Sequence, residues 1–169
     1  SRRAHRLLLI VATETAQDAA DMTAALRDKG FEVSTRAEDS EPAEPTQIFV
    51  ADGLDELGLW YRIAPVTFLA GTLDRGARRH PFEPASLGSA VLHGPQVAPY
   101  SQQIAQLARK NASLPVLNAS ELGDAVETLL SADKVAVMAH AAWDVTTQGA
   151  DVAQQIARMI QARLDQRKG

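Results

Sequence analysis

The sequence contains no cysteine, and this absence excludes disulfide bonds and thiolate metal sites. It is consistent with a cytosolic location. Aromatic residues make up only 5% of the 169 residues, so alanine, leucine and valine must fill most of the core. No apolar run approaches the roughly 18–20 residues of a membrane-spanning helix, and no segment has the pattern of a signal peptide. We therefore expect a soluble chain with a single domain over residues 1–169, cut from something longer because its first apolar strand starts so early.

An excess of positive charge is also missing. The formal net charge is −4, which argues against a general nucleic-acid binder because such binding depends on neutralising phosphates. Within residues 70–95, AGTLDRGARRHPFEPASLGSAVLHGP, three arginines and a histidine nevertheless cluster at positions 75–80. This local cluster suits one small anionic ligand. The four histidines have no H-x-x-x-H spacing, so we expect no metal site; they are His5, His80, His93 and His140.

Apolar strand patterns alternate with helical patterns along the chain. The predicted strands are residues 7–12, 31–35, 47–52, 65–71, 89–94 and 114–118. The predicted helices are residues 16–30, 53–64, 83–88, 98–111 and 119–132, with two more between 133 and the end, the last from 151. This alternation predicts an α/β fold, a Rossmann-like parallel sheet with helices on both faces.

Ligands of such folds bind at the carboxyl ends of the strands, near helix N-termini. Three strand ends therefore qualify: FVADGLDELG (49–58), FLAGTLDRGARRHPFEP (68–84) and VLHGPQ (91–96). In the second, glycines permit close backbone approach, and arginines bind anionic oxygens bidentately. Pro81 suits a first helical position, so the N–H groups after it are expected to face a phosphate, while Glu83 suits ribose hydroxyls.

Each segment also has a purely structural interpretation. The 70–95 loop reads equally as a solvated turn followed by a helix that begins with proline. Asp52, Asp55 and Glu56 read equally as acidic residues at a helix N-terminus. The acidic, proline-containing residues 36–45 are interpreted as a solvated loop. Trp60 and Tyr61 are expected to pack in the core.

A phospho-acceptor receiver domain is a different possibility, with Asp52 at the tip of the third strand and Thr72 after the fourth. That fold needs an acidic pair after the first strand, where this chain has only Glu14. It also needs a lysine after the fifth strand, where VLHGPQ has none. The residues therefore disfavour it.

The segments VADGLDELGLWYRIAPVTFLAGTL and PFEPASLGSAVLHGP together resemble a known family. They are similar to the C-terminal half of the 3-deoxy-D-manno-octulosonic acid (Kdo) transferases, glycosyltransferases of the two-domain GT-B fold. The family pattern reads D-T-x-G-E-L-G-x-x-Y, then G-G-S-L, then G-G-x-N-P-x-E-P-A, then a G-P loop. The resemblance covers most of the chain and is strongest over residues 47–95.

The resemblance implies transfer of Kdo from CMP-Kdo to a lipid A precursor in lipopolysaccharide synthesis, without a metal or cofactor. It implies that this half binds the CMP part of the donor. The acceptor, the catalytic glutamate base and the association with the inner face of the bacterial inner membrane would belong to an N-terminal domain missing from this chain. The fragment is therefore expected to be inactive alone, with no catalytic residue and no membrane insertion of its own.

Carried over by position, the resemblance implies eleven donor-binding residues. They are Asp55, Glu56, Leu57, Gly71, Thr72, His80, Pro81, Phe82, Glu83, Gly94 and Pro95.

The chain departs from the family in three places, one of which is Asp55 at the position of the glycine of G-E-L. A basic P-R-H-x-x-R stretch usually follows the first strand, and ATETAQ (12–17) replaces it here. Arginines and His80 stand where the family has Gly-Gly-x-Asn. We hypothesise that Arg75, Arg78 and Arg79 supply the missing positive charge as phosphate contacts. The alternative is a diverged Rossmann-like domain that has lost donor binding and serves as a structural or partner-binding module.

Overall fold

The computed structural model describes residues 7–38 and 41–147. His5 and the helix predicted from residue 151 lie outside them. The chain divides into two compact units, Ser1–Trp60 and Tyr61–Gly169. Within the described ranges, no helix is long and apolar enough to cross a membrane.

The first unit contains a parallel three-stranded sheet. Its elements are β1 (Leu9–Thr13), α1 (Ala16–Asp28), β2 (Val33–Thr35) and β3 (Ile48–Asp52). The strand order is β1-β3-β2, with Leu9 opposite Ile48 and Val33 also opposite Ile48. β3 is thus the central strand, and its first four residues are buried.

Local signals set the limits of α1. The Thr15 hydroxyl accepts a hydrogen bond from the Asp18 N–H and so caps the first turn. Gly30 follows the helix with a φ of 85°, the left-handed conformation that commonly ends a helix. The helix packs Ala19 against one face of β3, and Trp60 packs against Phe49 on the other face, with ring centroids 5.4 Å apart.

The helix α2 (Leu57–Ile63) spans the division between the units. The second unit then contains β4 (Val66–Phe68), α3 (Phe82–Ser86), β5 (Ala90–His93), α4 (Ser101–Arg109), β6 (Ser113–Pro115) and α5 (Ala119–Leu129). Residues 132–147 are also helical. The three strands are parallel in the order β4-β5-β6.

The central strand β5 is buried along its whole length because helices cover both faces. Val91 packs with residues of α3 and α4, including Leu107. Leu92 packs on the opposite face with Leu129 of α5. A strand covered on both sides reads as a continuous apolar run, which is why AVL shows no alternation.

The predicted α/β fold with parallel strands is therefore confirmed. Several limits differ from the prediction. The helix predicted from residue 53 begins at Leu57, and the strand predicted over 65–71 ends at Phe68. Its early end has a local cause, since the Thr72 hydroxyl bonds back to the Leu69 carbonyl and turns the chain. Pro81 occupies the cap position of α3 and not its first helical position.

Candidate functional site

A tight turn centred on Gly71 follows β4. The Gly71 carbonyl accepts backbone N–H groups from Asp74, Arg75 and Gly76, at 3.1, 2.8 and 2.9 Å. Gly71 has a φ of 84°, and a Cβ at this position would collide with the Gly76 carbonyl oxygen. Only glycine satisfies both conditions. The strand-end loop that follows β4, the second of the three predicted, is therefore a compact, hydrogen-bonded structure.

Thr72 joins this turn to the loop after β5. Its fully buried hydroxyl donates to the Leu69 carbonyl at 2.6 Å and accepts the Gly94 N–H at 2.7 Å. Its carbonyl accepts the Gln96 N–H at 2.8 Å. A Cβ on Gly94 would collide with the Thr72 backbone. The predicted residues Gly71, Thr72 and Gly94 are thus brought together, and Thr72 acts as a support because its hydroxyl is occupied.

A second contact fixes the arginine-rich part of the same loop. The Ala77 N–H donates to the Ala98 carbonyl at 3.1 Å, so the chain is held on both sides of Gly76. Arg75 is exposed, with its Nε 3.4 Å from the Asp74 carboxylate. Arg78 is exposed and Arg79 is half-buried. The side chains of Arg75 and Arg78 therefore reach solvent from a fixed backbone.

His80 occupies the N–H groups that were expected to face a phosphate. The Phe82 N–H donates to His80 Nδ1 at 3.2 Å, and the Glu83 N–H donates to the His80 carbonyl at 3.0 Å. The expectation that the N–H groups after Pro81 are open to an anion is therefore wrong for Phe82 and Glu83. α3 also has only five residues, so it adds little dipole field.

The remaining predicted residues of the second unit differ in exposure. Pro81 is buried, and Phe82 is partly buried against the α4 side of the core. Glu83 and Pro95 are exposed. Burial is the main cause that raises the pKa of Tyr61, and the negative charge of Glu83 adds to it. Glu83 thus presents an accessible carboxylate close to the α2 segment of this unit.

In the first unit, Glu56 forms a two-point ion pair with Arg36. Arg36 Nε and Nη2 donate to the two carboxylate oxygens, each at 2.7 Å. These hydrogen bonds lower the pKa of Glu56 and raise the pKa of Arg36. Asp55 is exposed, and Leu57 packs partly buried near Phe49. Glu56 is therefore a charged carboxylate held in one orientation.

Sequence reasoning missed Arg36 because it begins an acidic stretch interpreted as a solvated loop. The structure shows that its backbone N–H bonds to the Val50 carbonyl, so Arg36 directly extends the end of β2. The sequence signal that could have identified Arg36 was its position directly after a predicted strand. A cation immediately after a strand of a parallel sheet lies at the carboxyl edge, whatever the composition of the loop that follows.

Histidine and carboxylate groups do not gather into a metal site in the described parts of the chain. His93 is buried, with Nδ1 2.9 Å from the Gly94 carbonyl. His140 is exposed on the helix of residues 132–147 and lies 3.7 Å from Asp144. The packing role expected for Trp60 and Tyr61 holds, since both are over nine-tenths buried.

The fold and the loops define an α/β domain whose candidate ligand site lies at the carboxyl ends of parallel strands. No family model matches the chain. Its sequence is similar to the 3-deoxy-D-manno-octulosonic acid transferase of Haemophilus influenzae, 25% identical over 142 residues, 83% of this chain and 33% of that protein. A probable mitochondrial 3-deoxy-D-manno-octulosonic acid transferase of Arabidopsis thaliana is 33% identical over 111 residues, 63% of this chain and 25% of that protein.

A solved structure has a similar fold, the C-terminal CMP-Kdo binding domain of WaaA from Acinetobacter baumannii. Its TM-score is 0.69 at 19% identity, with 82% of this chain and 89% of that chain covered. The resemblance to the C-terminal part of Kdo transferases, predicted from the sequence, is confirmed. The chain spans at most a third of the length of these curated relatives, 33% and 25%.

Proposed function

We propose that this chain is the donor-binding domain of a Kdo transferase, an inverting glycosyltransferase that moves Kdo from CMP-Kdo to a lipid A precursor. The proposal is supported by the similarity to curated proteins named for this transfer and by the likeness to a domain described as CMP-Kdo binding. The acceptor, the catalytic base and the attachment to the bacterial inner membrane belong, in this proposal, to an N-terminal domain outside the chain.

The observation that carries the proposal is the junction of the two strand-end loops. Gly71 and Thr72 stand where the family has its glycine-serine segment, and Gly94 and Pro95 where it has its G-P loop. The Thr72 hydroxyl connects these segments at the carboxyl ends of β4 and β5. Ligands of parallel α/β sheets bind at this edge, and the close backbone packing leaves a rigid base for a nucleotide.

Arginine side chains carry the phosphate interaction in this proposal. The first N–H groups of α3 are occupied by His80, so positive charge must come from Arg75, Arg78 and Arg79. An arginine fork binds phosphate oxygens bidentately and stabilises the charge that develops on departing CMP. The exposed Glu83 carboxylate suits the hydroxyls of the ribose. Asp55, Glu56 and Leu57 remain donor-binding candidates by resemblance alone.

A CMP titration of the chain, followed by calorimetry and by amide NMR, tests the proposal. We expect binding that shifts the amides of residues 71–83 and of Gln96, with weaker binding of AMP as a base control. Absence of binding at millimolar CMP would contradict the proposal and favour the diverged structural or partner-binding module.

The arginine contribution is tested by substituting Arg75, Arg78 and Arg79 together with alanine. We expect CMP binding to weaken and its dependence on salt to flatten, because fewer charges meet the phosphate. Arg109→Ala, at the last residue of α4, is the matched control and should leave affinity unchanged. Equal affinity in the triple variant and the wild type would refute charge compensation by this loop.

A further inference from the structure

The hydrogen bonds of His80 determine which form of its imidazole the structure uses. A backbone N–H only donates, so the Nδ1 that accepts the Phe82 N–H carries no proton. In a neutral imidazole the proton must then be on Nε2. The His80 carbonyl accepts the Glu83 N–H as well, at 3.0 Å. One residue therefore satisfies the first two N–H groups of α3.

We propose that His80 is a titratable cap of α3 and the positioning residue for Pro81, Phe82 and Glu83. Its neutral, Nε2-protonated form holds this segment, and protonation of Nδ1 releases it. The consequence for the donor rests on the proposed function, because it assumes that this segment contacts CMP. The cap itself does not depend on that function.

The surroundings of His80 support a fixed ring. Its centroid lies 5.2 Å from the Phe82 ring and 4.9 Å from the Tyr100 ring, both in edge-on arrangements. The charged or titratable groups on the segments around it are Asp74, Arg75, Arg78 and Arg79 on its own loop, Glu83 on α3, and Tyr100 and Arg109 at the two ends of α4. A proton on Nδ1 would place two donors face to face, so the hydrogen bond from the Phe82 N–H cannot persist.

NMR of the full chain with labelled histidine tests the cap without any ligand. Imidazole nitrogen shifts distinguish the two tautomers, and spectra are recorded at a series of pH values until the imidazole is fully protonated. We expect the Nε2–H tautomer at high pH and a Phe82 amide shift that follows the His80 ring titration. The Nδ1–H tautomer would overturn the proposal. So would a Phe82 amide shift that stays constant while the His80 ring becomes protonated.

Three variants sharpen this test. His80→Asn should keep an acceptor for the Phe82 N–H because asparagine side chains bond the backbone N–H two residues on, and the Phe82 amide shift should then no longer depend on protonation of residue 80. His80→Ala should lose the cap at every pH. His140→Asn, at an exposed histidine on the helix of residues 132–147, should leave the Phe82 titration as in the wild type. A titration that persists in His80→Asn would contradict the assignment.

CMP affinity links the cap to function. The dissociation constant of CMP is measured for the wild type and for His80→Asn at each pH, and the wild-type value is divided by the variant value. Protonation of the CMP phosphate affects both values equally, so it does not change this ratio. We expect this ratio to rise about fivefold as His80 becomes protonated, the effect of losing a typical cap. A ratio that falls would show that the imidazolium attracts the phosphate, and would overturn the positioning role. If no variant binds CMP, the proposed function fails, and the NMR titration still decides the cap.

Discussion

Thr72 shows how one buried hydroxyl can hold together the two loops of the candidate site. It donates to the chain that leaves β4 and accepts from the chain that leaves β5. Arg36 plays a comparable part in the first unit, where it fixes the Glu56 carboxylate by two hydrogen bonds. At the residue scale, the strand-end loops of each unit therefore depend on supporting side chains as much as on exposed ones.

Thr72→Val should destabilise the chain by about 1–3 kcal/mol, because the buried Gly94 N–H loses its acceptor. Thr72→Ser keeps the hydroxyl and loses one methyl group, worth about 0.8 kcal/mol when buried. Urea unfolding of the three proteins measures the difference. Equal stability of the valine and serine variants would show that the hydroxyl is not needed.

The Arg36–Glu56 pair should make stability depend on pH. Hydrogen bonding to Arg36 lowers the pKa of Glu56 from its ordinary value of 4.5. A lowered carboxyl pKa stabilises the fold above the unfolded value, and this contribution is lost as the pH falls through the folded value. We therefore expect the stability difference between wild type and Glu56→Gln to shrink in acid.

Chemical unfolding at a series of pH values measures that difference. Arg36→Gln is the partner control: in its background, Glu56→Gln should change stability little at any pH. A Glu56→Gln effect that is the same with and without Arg36 would show that the ion pair contributes nothing.

At the scale of elements, the loops at the carboxyl ends of β4 and β5 behave as one hydrogen-bonded structure, while α3 is a single short turn of five residues. Glycines allow this packing at two points. Gly71 needs a positive φ and lies against the Gly76 carbonyl, and Gly94 lies against the Thr72 backbone. Backbone contacts of this kind leave no flexible group to move aside.

Gly71→Ala and Gly94→Ala should each destabilise the second unit by more than about 1 kcal/mol, because the added methyl meets backbone atoms or the φ is unfavourable. Gly123→Ala is the matched control within α5, where nothing lies within 4 Å of the new Cβ. It should stabilise by about 0.5–1 kcal/mol, since alanine is the better helix former. Thermal unfolding measures whether each variant is destabilised or stabilised. A Gly94→Ala variant as stable as the wild type would contradict the close packing.

At the scale of the whole molecule, the chain corresponds to only part of its curated relatives. It spans 33% of the Haemophilus influenzae protein and 25% of the Arabidopsis thaliana protein. By contrast, its structural similarity to the solved C-terminal CMP-Kdo binding domain extends over 89% of that chain. In the proposed function, binding and turnover are therefore separable properties.

CMP should stabilise the isolated chain without supporting turnover. A ligand present at 100 times its dissociation constant adds about 2.7 kcal/mol of stability. For a chain of this size that raises the melting temperature by roughly 5–11 °C, at about 2–4 °C for each kcal/mol. The measurements are thermal unfolding with CMP and product formation from CMP-Kdo with a lipid A precursor. Product formation by the chain alone would show that a second domain is not required.

Much of the fold was predictable because it depends on local patterns. The short apolar runs predicted the strands, and the helical spacing of apolar residues between them predicted the helices. The strand ends selected from the parallel alternation are those that hold Thr72 and Gly94. The eleven donor-binding residues themselves stay a prediction that the CMP titration has to test.

The sequence by itself determined the α/β class, the order of the elements and the strand ends where a ligand can bind, since these follow from periodicity and from local backbone preferences. Only the tertiary structure decided which polar groups are already occupied. Arg36 and Glu56 lie 20 residues apart, and Thr72 and Gly94 lie 22 apart. Such partners meet because strand order places particular strand ends side by side, and no local pattern records which side chain reaches which acceptor.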